Sequence, residues 1–303
     1  MKARLVSRLT VDYLLGLLDQ LRAAFDGDIV KGVVFLAVTQ CNVGHIDRDP
    51  ALAGQWADLE TPPPDNLRRP VSAGVVAQTL GLPKETARRK VRQLVAERYF
   101  ALAPGGVIVP QRVFLRPGNL GALRRNAAQL RQLYAALSQG GVSMARDYAL
   151  APGDVRLRQL GRFSTDFVLR AVDSMRGLFA GELLSGLIFM AIGAANVRHI
   201  TQAPGDPYAD LDDPPPDSER RPISALALSR ELGIPAETVR RHVRRLEQEG
   251  YCVARRDGVV VPNAVLMRDD FRMAISKCAS ELRWLLAQMT RVGLLQPRLL
   301  AAT

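Results

Sequence analysis

The sequence predicts a mainly α-helical chain with small β-hairpins, built as two similar halves. Three observations carry that reading. First, residues 80–110 (LGLPKETARRKVRQLVAERYFALAPGGVIVP) return as residues 232–262 (LGIPAETVRRHVRRLEQEGYCVARRDGVVVP). The offset is constant at 152 (Pro235 minus Pro83) and 16 of the 31 positions are identical, where average residue usage gives roughly two. Second, apolar residues through the rest of each half recur at helical spacing. Third, each repeat closes on a hairpin, Tyr99–Pro110 and Tyr251–Pro262, marked by the tight-turn dipeptides Gly105-Gly106 and Asp257-Gly258. A period this long signals duplicated domains rather than a solenoid.

The elements follow in order. Asp12–Phe25 aligns with Asp166–Phe179, both helical in period. Gly27–Ile46 aligns with Gly181–Ile200 at an offset of 154, and both read as long apolar helices. Leu183–Val197 is the most apolar stretch; it is too short to span a bilayer comfortably and reads as a buried helix. Ser185-Gly186 and Gly193-Ala194-Ala195 allow close helix approach, which favours core packing over a small-molecule pocket. Two acidic loops come next, about Asp47–Arg69 and Thr201–Arg221. Each contains PPPD (Pro62–Asp65, Pro214–Asp217) and ends in Arg-Arg-Pro. Structureless connections of this length are unusual in a compact domain, so each is either a functional flap or a mobile tether.

Ser72 and Ser224 then cap a short helix, with Val71/Val76 and Ile223/Leu228 as hydrophobic staples. Leu80-Gly81 and Leu232-Gly233 end it, and Pro83 and Pro235 start the next. That next helix runs over about 84–97 and 236–249, and its hairpin over about 99–110 and 251–262. Asn119–Ser138 and Asp269–Thr290 are closing helices. Gly140-Gly141 marks a break, Val142–Arg162 links the halves, and residues beyond Val292 are expected to fray. The domains are therefore 1–145 and 155–303, each with two helices before the helix–turn–helix and hairpin, and one after.

Ala87, Val91 and Leu94 fall at i, i+4 and i+7, and Val239, Val243 and Leu246 match them, so this stripe packs inward. The opposite face presents Lys84, Glu85, Thr86, Arg88, Arg89, Arg92 and Gln93 in the first copy. In the second it presents Glu237, Thr238, Arg240, Arg241, Arg244 and Arg245. Arginine can read guanine O6 and N7 with two bonds and glutamate can accept from cytosine N4. Threonine and the helix N-terminus suit phosphate. The bland alternative, a solvated charged helix face, loses ground because cap, glycine turn, proline start, basic face and hairpin all recur together. The copies are not equivalent. Segment 84–98 carries six basic and two acidic residues, segment 236–250 four and three, and only the second hairpin tip is basic (Arg255, Arg256).

LGIPAETVRRHVRRLEQEGY followed by GVVVP resembles the winged helix-turn-helix of bacterial transcription regulators, the layout of the GntR-type, MarR-type and cyclic-AMP-receptor-type groups. The resemblance covers Pro70–Pro110 and Pro222–Pro262. It implies two tandem winged helix-turn-helix domains, each placing a recognition helix in the major groove with a wing beside it. Packed through Gly27–Ile46 and Gly181–Ile200, the halves would form an intrachain pseudo-dimer that reads an imperfect inverted repeat. Arg68, Arg69, Arg220, Arg221 and the second wing would neutralise phosphates and make affinity strongly salt dependent. The function expected is a sequence-specific, double-stranded-DNA-binding transcription regulator, bacterial, cytoplasmic and nucleoid-associated. RNA polymerase and a second copy of the chain would be its further partners. The alternatives are a plasmid or chromosome replication or segregation factor with tandem winged helices, and a winged-helix protein-interaction module.

Composition agrees. The 303 residues suffice for two cores at 48% hydrophobic content, and the net charge of +11 favours a polyanionic partner. Aromatics at 6% disfavour single-strand binding by base stacking. Cys41, Cys252 and Cys278 form neither a disulfide framework nor a zinc site, which suits a reducing cytosol. The N-terminus lacks a signal-peptide apolar core, because Asp12 and Asp19 interrupt it, and no membrane association is expected. No phosphate loop, nucleophile elbow or carboxylate dyad is visible, so neither an enzyme, a cofactor nor a metal is expected. Asn42 and His45 recur as Asn196 and His199 on one helix face. They are either a ligand or metal pair, or else a satisfied polar pair near a helix end or an interface hydrogen bond; the lack of a companion ligand cluster disfavours the first.

Overall fold

The computed structural model describes residues 2–142, 148–151, 153–201 and 207–297. Helices dominate, and among the described residues the sheets are all two-stranded. The chain divides into two compact units. One comprises Gln20–Gln132, Tyr148–Asp173 and Trp284–Thr303 and contains the first repeat. The other comprises Met1–Asp19, Leu133–Asp147 and Ser174–Arg283 and contains the second. The units are thus a different division of the chain from the sequential halves 1–145 and 155–303.

In the unit of the first repeat, α2 (Ile29–Val43) is the core helix. Asp28 caps it, its carboxylate accepting from the Lys31 amide at 2.9 Å. Val33, Val34, Ala37 and Val38 are buried, covered by α4 (Ala73–Leu80), α5 (Lys84–Ala96) and strand β2 (Gly106–Ile108). Phe25, Phe35, Tyr99 and Phe100 cluster where α2 meets the base of the hairpin. β2 pairs with β1 (Ala101–Ala103), Ala103 facing Gly106, so the loop residues are Pro104-Gly105. The expected turn dipeptide was one residue later. Gly106 is instead a strand residue with φ +154°, and a Cβ there would lie 2.2 Å from the Val71 carbonyl oxygen. The cause is the bridge between Val71 and Val107, which brings a third piece of backbone against the hairpin.

The loop from Asp47 to Arg69 is neither flap nor tether. It holds single 3-10 turns at Ile46–Arg48 and Asp65–Leu67 and a short helix, α3 (Pro50–Gln55). Ala53, Ala57 and Leu59 are buried. Onto it docks α8 (Leu157–Leu178), which starts inside the segment expected to be linker; 143–147 and 152 of that segment lie outside the described residues. The Arg158 and Gln159 amides both donate to the Ala57 carbonyl at 3.1 Å. The Arg158 guanidinium donates to the carbonyls of Asp58 (3.2 Å) and Leu59, and burial lowers its pKa to about 10. Arg162 pairs with Asp47 at 2.8 Å. Strands β3 (Tyr148–Leu150) and β6 (Leu295–Pro297) pair antiparallel. Fraying beyond Val292 is therefore corrected as far as Pro297, since Leu294 and Leu295 are buried; residues 298–303 lie outside the described residues.

The unit of the second repeat uses the same devices. α9 (Leu183–Thr201) packs against α10 (Ala225–Leu232), α11 (Ala236–Gln248) and β5 (Gly258–Val260). It is long and apolar enough by length and composition to cross a membrane, but 56% of its apolar window is buried and Ile188 and Ile192 are inaccessible. Phe179, Phe189, Tyr251 and Phe271 form its aromatic cluster. β4 (Val253–Arg255) pairs with β5 around Arg256-Asp257, again one residue before the expected dipeptide. The described part of the second acidic loop receives α1 (Ala3–Ala24): the Arg4 and Leu5 amides donate to the Ala209 carbonyl at 3.0 and 3.2 Å, and Arg4 Nε to Leu211 at 2.7 Å. Residues 202–206 of that loop lie outside the described residues. Arg4 aligns with Arg158 and Ala57 with Ala209. In each unit, therefore, the first helix of one half docks on the loop of the other half. Short helices not expected from sequence, α6 (Gln111–Phe114) and α12 (Asn263–Leu266), precede the closing helices α7 (Pro117–Gln139) and α13 (Asp269–Arg291).

Candidate nucleic-acid interface

Each helix–turn–helix is set by local chemistry. Ser72 Oγ accepts from the Val75 amide at 3.3 Å and Ser224 Oγ from Ala227 at 3.1 Å, so α4 and α10 start as expected. Gly81 and Gly233 take φ of 60° and 59°, the left-handed conformation that stops a helix and that other residues adopt at a cost. Pro83 and Pro235 cap α5 and α11 one residue before the first helical position. Ala87, Val91 and Leu94 are buried, as are Val239, Val243 and Leu246. Each such Val or Leu contributes about 1.5–3 kcal/mol by leaving water, and the stripe thereby fixes which face looks out.

The outward face carries the residues chosen from sequence. Lys84, Glu85, Arg88, Arg89, Arg92 and Gln93 are exposed and Thr86 is half-buried; Glu237, Arg240, Arg241 and Arg244 are exposed and Thr238 is half-buried. Their internal ion pairs are weak and water-facing: Arg88 with Glu85 at 3.9 Å, Arg240 with Glu237 at 3.2 Å, Arg244 with Glu237 at 3.9 Å. Exposed pairs of this kind contribute about 0–1 kcal/mol, so a phosphate or base edge can replace them. Arg255 and Arg256 at the hairpin tip and Arg69 and Arg221 beside it are also exposed.

Two expected contacts are corrected. Arg68 and Arg220 have inaccessible side chains, at 0% and 1% exposure. Arg68 donates to the Pro63 carbonyl at 2.6 Å and to Asp65 at 3.2 Å, with its guanidinium 4.8 Å over the Phe114 ring. Arg220 donates to Asn263 at 2.7 Å and to the Pro215 carbonyl at 3.2 Å. Both are inward braces of the PPPD loops. Asp65 and Asp217 also accept from the Gln111 and Asn263 amides, at 2.6 and 2.7 Å. Arg245 is half-exposed and pairs with Glu182 at 2.9 Å and Glu249 at 2.8 Å, both contacts facing water.

Sequence reasoning missed how α5 and α11 are held. Lys90 pairs with Asp28, and Lys31 with Glu97 at 2.8 Å. At the position of Lys90 the second copy has His242, buried and 2.9 Å from Ser185 Oγ, with Glu182 at 3.8 Å. The signal was available: Asp28 and Glu182 are aligned acids at the start of the long helix, opposite aligned bases at Lys90 and His242. Burial lowers the His242 pKa below 6.5; Glu182 opposes this, and Arg241 and Arg245 add to it. The unfolded ring therefore takes up a proton that the folded ring resists. Stability present above the unfolded value of 6.5 is lost as the pH falls below it. We expect thermal melts between pH 7 and 5 to show this loss and His242→Gln to remove that component; an unchanged pH dependence in the variant would contradict the assignment.

The repeated asparagines are structural staples. Asn42 is fully buried; its amide donates to the carbonyls of Arg69 (2.7 Å) and Val107 (3.3 Å), and its oxygen accepts from the Val109 amide at 2.8 Å. Asn196 does the same with Arg221 (2.8 Å), Val259 (3.2 Å) and Val261 (2.9 Å). Both tie the last turns of the core helix to the inner strand of the wing. The companion histidines differ from the satisfied pair expected: His45 and His199 each bury Nδ1 without a hydrogen-bond partner. Among the described residues no group of three or more His, Cys, Asp or Glu is placed to hold a metal ion.

Residues 219–251, covering α10, the turn and α11, match the family model described as winged helix-turn-helix DNA-binding. No curated protein and no solved structure matches the chain. The match places this segment in the DNA-binding winged helix-turn-helix class and supports DNA as a partner.

Proposed function

We propose that the chain is a sequence-specific, double-stranded-DNA-binding transcription regulator, not an enzyme, with a winged-helix reading head in each half. The observation that carries this is the outward arginine face of α5 and α11, each oriented by a buried stripe, a left-handed glycine and an asparagine-stapled hairpin. The equivalent docking of each half's first helix on the other half's loop supports a single-chain pseudo-dimer, which would read an imperfect inverted repeat. Its setting would be the bacterial cytoplasm, on the nucleoid, with RNA polymerase or a second copy of the chain as further partners.

Genome-wide mapping of bound sites tests the reading. Promoter-proximal, imperfect palindromes support it. Clustered iterated repeats at an origin would identify a replication or segregation factor instead, and binding to a protein without DNA would identify an interaction module. At the level of residues, Arg89→Ala and Arg241→Ala should relax base preference in different half-sites, each by about 1–3 kcal/mol of discrimination. Affinity should fall steeply with salt, with a slope set by the number of phosphates neutralised. A loss that is equal for both variants and blind to sequence would show that these arginines touch phosphate only.

A further inference from the structure

A cavity of about 700 Å³ opens in the unit of the first repeat, between the C-terminal end of α2, the first turns of α8 and the last turns of α13. That volume suits a small molecule, for which sites of ~300–1,000 Å³ are usual, and excludes a duplex. Five arginines line it against two carboxylates, Asp47 and Asp166. Both acids are already engaged, by Arg162 at 2.8 Å and Arg170 at 2.7 Å. Arg48, Arg156 and Arg291 have no carboxylate partner among the described residues; the latter two reach only the side-chain oxygens of Gln159 (3.3 Å) and Gln288 (2.5 Å). Trp284 supplies an aromatic wall, with the Arg170 guanidinium 4.5 Å from its ring centroid. Gln40 donates to Asp166 at 3.2 Å and leaves its own oxygen buried without a partner.

The repeat does not duplicate this chemistry. Aligned with Arg170, Trp284 and Arg291 stand Gly16, Gln132 and Gln139. Residues common to both copies serve the shared fold. Those that differ and gather around one void serve a task of the unit of the first repeat alone.

We propose that this cavity binds a small organic anion with at least two negative charges and a flat ring, such as an aromatic dicarboxylate or an aryl phosphate. The charges meet Arg48, Arg156 and Arg291, and the ring meets Trp284. Binding also reaches the wing. Gln40 and Gly44 line the cavity, and between them on the same helix Asn42 holds the wing through Val107 and Val109. That coupling rests on the DNA-binding reading given above; ligand binding itself does not.

Calorimetric titration of the full chain with isophthalate and with phenyl phosphate, using inorganic phosphate as the ringless control, tests the site without DNA. Saturable one-site binding is expected for the ring-bearing probes, at least about tenfold tighter than for inorganic phosphate. Arg291→Gln, Arg48→Gln and Trp284→Leu should each weaken it about tenfold or more, while Arg291→Lys retains most of it. Arg48 and Arg291 are exposed, so the arginine variants should keep the parent melting curve. No saturable heat from either ring-bearing probe up to about 10 mM, or binding unchanged in the variants, overturns the proposal. It also falls if the arginine variants lower DNA affinity in the absence of any probe and leave probe binding intact, since the guanidiniums would then serve DNA phosphate.

Discussion

Replacing Arg240, Arg241 and Arg244 together by alanine is expected to lower affinity for the preferred DNA site by about a hundredfold or more at 150 mM salt, with the melting temperature close to that of the parent. The magnitude follows from the count. Good arginine–base pairs contribute about 1–3 kcal/mol each, and every phosphate left without its arginine keeps counterions that binding would otherwise release. The fold tolerates the change because these side chains face water on α11, opposite the buried Val239, Val243 and Leu246, and among the described residues their only ion pairs are exposed contacts to Glu237. Arg220→Ala supplies the contrast. It deletes a buried brace bonded to Asn263 and Pro215, so its effect should appear as lost stability. Fluorescence anisotropy with a labelled duplex, beside thermal melts, separates the two. A folded triple variant with parental affinity would remove the basis for assigning α11 as the reading helix.

The contrast also shows what the sequence could and could not reveal. Period, caps and turn residues are local, and they located α4, α5, α10 and α11 within a residue or so. The inward stripe was equally legible, because helical geometry alone puts Ala87, Val91 and Leu94 on one side. Which arginines are free was not legible. Arg68 and Arg69 are neighbours in an identical local pattern, yet one is under the PPPD loop and the other is exposed. Only the tertiary positions of Pro63, Asp65 and Phe114 decide between them. The pairing of Arg245 with Glu182 was hidden for the same reason, since Glu182 lies far from it in sequence. The long acidic loops looked structureless because their order comes from α1 and α8 docking at Ala209 and Ala57, through bonds between residues about 100 or more positions apart. The hairpin turns shifted by one residue because Gly106 and Gly258 answer to Val71 and Ile223, not to the turn itself.

The asparagine staples give the largest expected stability effect. Asn196→Ala removes two donated bonds and one accepted bond from a side chain with no accessible surface, leaving the Val261 amide and the Arg221 carbonyl to find new partners away from water. A buried group left unsatisfied costs about 1–3 kcal/mol, so a loss of about 2–4 kcal/mol is expected, and the same for Asn42→Ala. Asn196→Leu distinguishes bonding from packing. It restores most of the volume but none of the bonds, and should be nearly as damaging as alanine; full recovery of stability in Asn196→Leu would show that the side chain merely fills space. Asn196→Asp keeps the acceptor for Val261 and sets a carboxylate against the Arg221 and Val259 carbonyls, so it should be no better than alanine at neutral pH. Hydrogen exchange locates the damage. If the staple is what holds the wing to α9, the amides of Val259 and Val261 should lose protection before those of α9 itself, and DNA affinity should fall in the same variants although no residue of the arginine face has changed.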